Sequence, residues 1–253
     1  MCEKFENKFA NINGNSLDAA IERRLRGEPL QYILGEWEFY ARMFEVGEGV
    51  LIPRAETETV IDTLLRYADK AEPYTILDLC AGSGAIGITA ALELPRSRVH
   101  CIEKYTAAYD YLARNTARLH AINATPLLAD IFDYPDTTPD IILTNPPYLT
   151  SAEMSALQTE VTHEPTTALY GSSDEWSKNS NSDGLDFYKR IFAQYTPRFM
   201  LLAETGDNQA DTVAELANRA YNKGNDYTVN ILTDLDGNKR VVSVIKKIGG
   251  SNG

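Results

Sequence analysis

From residue 75 onward, short apolar runs alternate with amphipathic stretches, and this alternation constrains the fold more than any other feature. Thr75–Cys80 reads as a strand and Ala85–Leu94 as a helix; Arg98–Glu103 and Ala107–His120 repeat the pair. Pro126–Ala129 and Asp140–Thr144 read as further strands, Leu185–Tyr195 as a helix, Phe199–Ala203 as a strand and Asn208–Tyr221 as a helix. Such alternation predicts an α/β fold with a parallel sheet covered on both faces. Tyr227–Leu232 and Arg240–Ile245, joined by Asp-Leu-Asp-Gly-Asn, predict an antiparallel pair at one end. Upstream, Ser16–Gly27 reads as a short helix, with Ser16 as N-cap, Leu17, Ala20, Ile21 and Leu25 as an apolar stripe, and Gly27 as the stop. Residues 28–53 read as mostly extended, a hairpin ending at Pro53, and Thr57–Ala68 as helical. Ser172–Asp183 is polar and Ser/Asn-rich, a loop or insertion, and Gly249–Gly253 reads as a flexible tail.

Charge and residue usage exclude several kinds of chemistry. The net charge is −12, the wrong sign for a chain that binds mainly through phosphates. Naked nucleic acid is therefore disfavoured, and a protein or small-molecule substrate fits. Three histidines (His100, His120, His163) show no spacing with cysteine that resembles a metal site, so no metal is expected. The three cysteines (Cys2, Cys80, Cys101) form no disulfide framework; Cys80 and Cys101 fall in predicted strands, as small buried hydrophobes. No signal peptide and no membrane-length apolar run are visible, and the expectation is a cytoplasmic protein.

Two groups of residues carry chemistry. Asp78-Leu-Cys-Ala-Gly-Ser-Gly84 follows the first strand of the alternating region and opens a helix. Gly82 and Gly84 remove side chains where a backbone must turn and approach a ligand. Gly87 stands one position late for the third glycine of a dinucleotide fingerprint, and no Walker lysine is present. The second strand ends in Glu103, about twenty residues on, where a carboxylate can accept both hydrogens of a ribose diol. Asp130 and Ile131 end the third strand and suit an adenine amine and ring, although Asp130 reads equally as a turn cap. These loops fit a nucleoside ligand without a pyrophosphate, which describes S-adenosylmethionine.

The second group is Asn145-Pro-Pro-Tyr148, directly after the apolar run Asp140–Thr144. The Asn145 side-chain oxygen and the Pro146 carbonyl can each accept one hydrogen of a flat –NH2, and Tyr148 can stack behind its plane. Two stiff prolines hold such a carbonyl at little cost. The guest can be an amide or an aromatic amine such as a flipped adenine. On its own the tetrapeptide reads also as a turn that terminates a strand.

Taken in order, these motifs resemble the class I S-adenosylmethionine-dependent methyltransferases. Pro29-Leu-Gln-Tyr-Ile-Leu-Gly35 and Leu51-Ile-Pro-Arg-Ala-Glu-Thr-Glu58 narrow the resemblance to the PrmC/HemK family of protein-(glutamine-N5) methyltransferases. It continues through Glu164-Pro165, Asp183-Gly184-Leu185, Ala203-Glu-Thr-Gly206, Gln209 and Arg240-Val-Val242. The family implies a Rossmann-like seven-stranded sheet, a β-hairpin and a small helical N-terminal region. On this chain that is 1–28 helical, 29–53 hairpin linker, 54–248 methyltransferase domain and 249–253 tail. It implies S-adenosylmethionine as cofactor, held by Asp78, Leu79, Cys80, Ala81, Gly82, Gly84, Glu103, Asp130, Ile131, Asn145 and Thr57. Asn145, Pro146 and Tyr148 would carry catalysis, with Pro147, Arg54 and Glu164 also against the substrate. That substrate would be the glutamine of the Gly-Gly-Gln motif of a peptide chain release factor. The expected partner is thus a protein, without nucleic acid or membrane, and the enzyme a monomer. A ribosomal-protein glutamine, nucleic-acid adenine N6, or a binding module without turnover are the other readings. Departures from the family pattern are Cys80 where Gly is usual, Glu103 where Asp is usual, the polar stretch 172–183, and the 28 residues before Pro29, fewer than the family's helical bundle.

Overall fold

The computed structural model describes residues 17–135, 138–172, 182–222, 224 and 226–247. Helix α1 (Leu17–Leu25) stops where the sequence places Gly27, which takes φ +87°. The Gly27 N–H donates to the Arg24 carbonyl at 3.0 Å and the Glu28 N–H to the Arg23 carbonyl at 3.2 Å, the paired closure that a left-handed residue makes at a helix end. Cys2, the N-cap candidate Ser16, residues 173–181 of the polar stretch and the tail at 249–253 lie outside the described residues.

The stretch 28–53 is not mostly extended. It begins with a helix, α2 (Leu30–Leu34), which starts after Pro29 (φ −55°) and ends at Gly35. Proline has no N–H to lose at a helix start and already holds helical φ. Five residues are too few to show a helical period, and buried Tyr32 and Ile33 suit a strand equally well. The hairpin is shorter than expected: β1 (Glu36–Phe39) pairs with β2 (Arg42–Glu45) and stops well before Pro53. Its two-residue turn, Tyr40-Ala41, puts both residues at positive φ (50° and 56°), as the twist of a tight hairpin demands. The Tyr40 N–H donates to Glu58 Oε1 at 2.7 Å, tying the turn to the next helix.

That helix, α3 (Glu58–Tyr67), follows a 3₁₀ turn over Ala55–Thr57. Then come β3 (Thr75–Leu79), α4 (Ala85–Glu93), β4 (Arg98–Glu103), α5 (Thr106–Arg118), β5 (Ala124–Leu128) and β6 (Ile141–Thr144). The short helices α6 (Ser151–Ser155) and α7 (Thr166–Leu169) precede α8 (Asp186–Gln194), β7 (Met200–Glu204), α9 (Ala210–Tyr221), β8 (Tyr227–Thr233) and β9 (Lys239–Lys246). The seven strands β3–β9 make one sheet in the order β5-β4-β3-β6-β7-β9-β8. Pairing is parallel from β5 to β7, while β9 runs antiparallel between β7 and β8.

Alternate residues of the central strands feed two cores. Ile76, Cys101, Ile141 and Leu202 pack with Ile61, Leu64, Ile88 and Leu112 on one face. Leu77, Ile102, Ile142 and Leu201 pack with Tyr188, Ile191 and Val213 on the other. Being buried on both sides, these strands carry no polar alternation. Cys101 is buried in β4 as expected, whereas Cys80 is not in a strand: β3 ends at Leu79 and Cys80 stands at φ +63°.

Gly87 on α4 lies against the sheet. A Cβ there would fall 2.5 Å from Cys101 Sγ and 2.6 Å from Asp78 Oδ2. Gly87→Ala is expected to destabilise the fold by about 1–3 kcal/mol, the scale of overpacking a filled core. Urea denaturation measures it, and an unchanged midpoint would mean that α4 can lift off the sheet freely.

Candidate active site

The strand order reverses between β3 and β6, and the register there places Leu79 beside Thr144. The Thr144 hydroxyl donates to the Leu79 carbonyl at 2.8 Å, fixing the two strand ends together. The turn that begins at Cys80 and the tetrapeptide that begins at Asn145 therefore leave the sheet side by side. A cavity of about 610 Å³ opens there, at the carboxyl ends of the parallel strands. Its floor is the Cys80–Ser83 turn, with Glu103 to Tyr105 after β4, Asp130 to Phe132 after β5, and Asn145 and Pro147 after β6. Segments around Leu51–Thr57 and Pro165–Tyr170 cover it.

The Cys80–Gly84 turn has three left-handed residues, Cys80, Gly82 and Gly84. A Cβ added at Gly82 would meet nothing within 4 Å. Its bare backbone thus leaves room for a ligand to approach. Cys80 holds its conformation at a cost of about 1–2 kcal/mol that glycine would not incur. Burial pushes its thiol well above the ordinary range, so it supplies no thiolate.

Glu103 is 6% exposed, and burial raises its pKa against the hydrogen bonds it accepts. The Gly82 N–H donates to Oε2 at 2.9 Å and the Tyr105 N–H to Oε1 at 2.8 Å. One carboxylate thus clamps the glycine turn to the end of β4, and each oxygen keeps lone-pair capacity toward the cavity. Asp130 lines the cavity too, and it caps its own turn: Oδ1 accepts the Phe132 N–H at 2.9 Å, and Lys104 lies 3.3 Å from Oδ2. Ile131 and Phe132 add apolar wall, with Phe187 packed on Phe132 at 5.5 Å.

Asp78, Leu79 and Gly84 do not line the cavity. Asp78 is buried behind it, its Oδ2 accepting the Gly87 N–H at 2.8 Å and its Oδ1 without a partner among the described residues. Leu79 is in the core, and Gly84 begins α4 against Ile88 and Leu112. Phe132 lines the cavity and was passed over by the motif reading. Phe132 could have been noticed as an aromatic directly after Asp130-Ile131.

Asn145 faces the cavity, and its Nδ2 donates to Thr57 Oγ1 at 3.5 Å. Among the described residues no donor reaches the Asn145 Oδ1 or the Pro146 carbonyl. Thr57, Arg54 and Pro147 also line the space, whereas Pro146, Tyr148 and Glu164 do not. The Tyr148 ring packs on Gly206, its carbonyl accepts Gln209 Nε2 at 2.9 Å, and burial pushes its hydroxyl up to about 12. Arg54 and Glu164, expected against substrate, form a clasp. Arg54 Nη2 pairs with Glu164 Oε1, Nη1 donates to the Ile52 carbonyl at 3.1 Å, and the Ile52 N–H donates to Glu164 Oε2 at 3.0 Å. The clasp holds the Leu51–Thr57 cover over the cavity. No cluster of metal-ligating side chains occurs among the described residues.

The lining fits a nucleoside. It offers a carboxylate poised for a diol, an apolar slot at Ile131 and Phe132, and a bare glycine turn. The family model of the methyltransferase small domain matches residues 55–170. The chain is 38% identical over 206 residues to the release factor glutamine methyltransferase of Geobacter sulfurreducens, covering 79% of this chain and 68% of that protein. It is 35% identical over 220 residues to the enzyme of the same name from Thermodesulfovibrio yellowstonii, covering 83% and 75%. The solved structure of TYW2 from M. jannaschii in complex with AdoMet superposes with a TM-score of 0.51 at 15% identity, covering 84% and 86%, a likeness of fold. Fold and site together define a class I S-adenosylmethionine-dependent methyltransferase. Within that class the chain belongs to the release factor glutamine methyltransferase family.

Glu103→Ala is expected to weaken S-adenosylhomocysteine binding by about 1.5–3 kcal/mol, the scale of hydrogen bonds to a charged group. Titration calorimetry reads this, and an unchanged Kd would remove Glu103 from the site. Burial pushes the Asp78 carboxyl up to about 8, against the Gly87 N–H and with help from the Glu103 charge. Unfolded, the group ionises near 3.9. Between the two values the folded state holds a proton that the unfolded state lacks, so stability falls as pH rises through that window. Asp78→Asn is expected to flatten the dependence of the melting midpoint on pH between about 4 and 8; identical slopes would contradict the buried, protonated carboxyl.

Proposed function

We propose that this chain transfers a methyl group from S-adenosylmethionine to the N5 amide nitrogen of the glutamine in the Gly-Gly-Gln motif of a peptide chain release factor. One observation carries the reading: Asn145 lines a cavity suited to that cofactor, and no donor among the described residues reaches its Oδ1 or the adjacent Pro146 carbonyl. The names of the relatives, release factor glutamine methyltransferase, supply the substrate.

When bound, the cofactor supplies a methyl group on a sulfonium, which leaves as a neutral thioether. Glu103 would hold its ribose, Ile131 and Phe132 its base, and the Cys80–Gly82 backbone its amino-acid end. The protein's remaining task is positioning. An amide nitrogen is a poor nucleophile because its lone pair is delocalised. With its two hydrogens taken by Asn145 Oδ1 and the Pro146 carbonyl, the nitrogen is held with one face toward the Cys80–Gly82 turn. Orientation of this kind contributes on the order of 7–11 kcal/mol to such reactions. No histidine lines the cavity, and none is needed. The nitrogen becomes acidic as it is alkylated, and water takes the proton. Tyr148 lies outside the cavity lining: Gln209 fixes its carbonyl, and its ring packs on Gly206.

The same reading makes the chain a cytoplasmic monomer that binds no nucleic acid directly; the net charge of −12 supports the last of these. No described helix is long and apolar enough to cross a membrane. Residues 54–248 would form the catalytic unit, with 1–28 and 29–53 serving docking and linkage.

Asn145→Ala is expected to abolish methylation of a release factor while leaving the Kd for S-adenosylhomocysteine largely intact. The assay uses labelled cofactor with release factor and, in parallel, DNA. Near wild-type turnover by the variant, or label transferred to DNA instead of protein, would overturn the proposal.

A further inference from the structure

The middle of the tetrapeptide Asn145–Tyr148 cannot be held by backbone donors, because Pro146 and Pro147 carry no N–H. The Pro146 carbonyl accepts from none of the described residues. Its direction therefore depends on how the two ends of the segment are fixed. Upstream, Asn145 continues from β6, whose last residue, Thr144, is fastened to the Leu79 carbonyl at 2.8 Å. Both proline rings fix φ, so few soft torsions separate Asn145 from the peptide plane that joins Tyr148 to Leu149. A rotation of that plane is carried back to the Pro146 carbonyl.

The Tyr148–Leu149 plane is gripped on both edges. The Leu149 N–H donates to the Leu169 carbonyl at 2.8 Å, and the Tyr148 carbonyl accepts Gln209 Nε2 at 2.9 Å. The same Nε2 donates to the Asp183 carbonyl at 3.1 Å, so both hydrogens of the amine are in use. Asp183 is itself fixed at the start of α8: its Oδ1 accepts the Leu185 N–H at 3.0 Å, and Lys189 Nζ donates to Oδ2 at 2.9 Å. Gln209 sits in the 3₁₀ turn after β7, its own N–H donating to the Gly206 carbonyl at 3.0 Å. One side-chain amine thus joins the exit of β6, the start of α8 and the turn after β7. Gly184 leaves it the space. A Cβ at that residue, which stands at φ +74°, would fall 2.1 Å from the Tyr148 oxygen and 2.4 Å from Gln209 Nε2.

Gln209 does not line the cavity. We propose that it is a positioning residue for methyl transfer: by holding the Tyr148 carbonyl against the pull of Leu169 on the other edge, it sets the direction in which the Pro146 carbonyl meets the guest –NH2. The inference rests on the glutamine methylation proposed above. Without the Gln209 amine, the plane pivots about the remaining Leu149–Leu169 bond, and the acceptor swings with it. A misdirected acceptor costs the transition state more than it costs the docking of a whole protein, so the loss falls on kcat rather than on KM.

The experiment measures kcat and KM on a release factor, and Kd for S-adenosylhomocysteine, for wild type, Gln209→Ala and Gln209→Met, with thermal melting to confirm folding. Methionine keeps the length and bulk of the side chain and removes both hydrogens, so it separates the hydrogen bonds from the packing. Both variants are expected to lose on the order of 10²-fold in kcat, the cost of a misplacement near the chemistry, with KM and the Kd for S-adenosylhomocysteine little changed. A folded Gln209→Met with wild-type kcat would reduce Gln209 to a packing residue and sink this inference alone. So would a loss that appears equally in the Kd for S-adenosylhomocysteine, since the effect would then act on the cofactor side. No turnover by wild type would sink the parent reading and this one with it.

Discussion

The parallel pairing of Leu79 with Thr144 is the constraint on which the rest of the structure depends. It joins the central strand to the first strand beyond the reversal, and the Thr144 hydroxyl fastens the two ends. Everything chemical hangs from that pair. The glycine turn leaves from one strand and the Asn145–Tyr148 tetrapeptide from the other, so the two groups of residues are neighbours by construction of the sheet. A slip of one residue would turn Asn145 to the opposite face of the sheet.

Around that junction the molecule buries three carboxyls, Asp78, Glu103 and Glu204, and burial raises the pKa of each. Asp78 Oδ1 and Glu204 Oε2 also lack partners among the described residues. Stability alone would not favour such groups, since an unsatisfied buried acceptor costs about 1–3 kcal/mol. Buried carboxyls with raised pKa, one lining the cavity and Asp78 directly behind it, are what a functional site gathers. Asp78 receives the first turn of α4, and Glu103 clamps the glycine turn.

What the sequence made legible follows from local physics. The strands β3, β4 and β6 are buried on both faces and read as apolar runs, and Glu103 and Asn145 stand at their ends, where open sheets bind ligands. The short helix Leu30–Leu34 was hidden because five residues show no period. Cys80 was misplaced because a left-handed cysteine has no local signal. Gly87 gains its meaning from Cys101 and Asp78, which belong to two strands that meet it only in the folded chain. The same holds for the Arg54–Glu164 clasp, whose members stand 110 residues apart, and for Thr57 and Asn145, 88 residues apart.

The central claim is that Asn145 offers its oxygen, and Pro146 its carbonyl, to the nitrogen that is methylated. A crystal structure of the chain with S-adenosylhomocysteine and a glutamine-bearing release factor peptide tests it most directly. The account expects the glutamine amide nitrogen about 2.9 Å from both Asn145 Oδ1 and the Pro146 carbonyl, with Asn145 Nδ2 still on Thr57. A glutamine whose amide lies outside hydrogen-bond range of those two oxygens, or an Asn145 turned so that its nitrogen meets the guest, would contradict it.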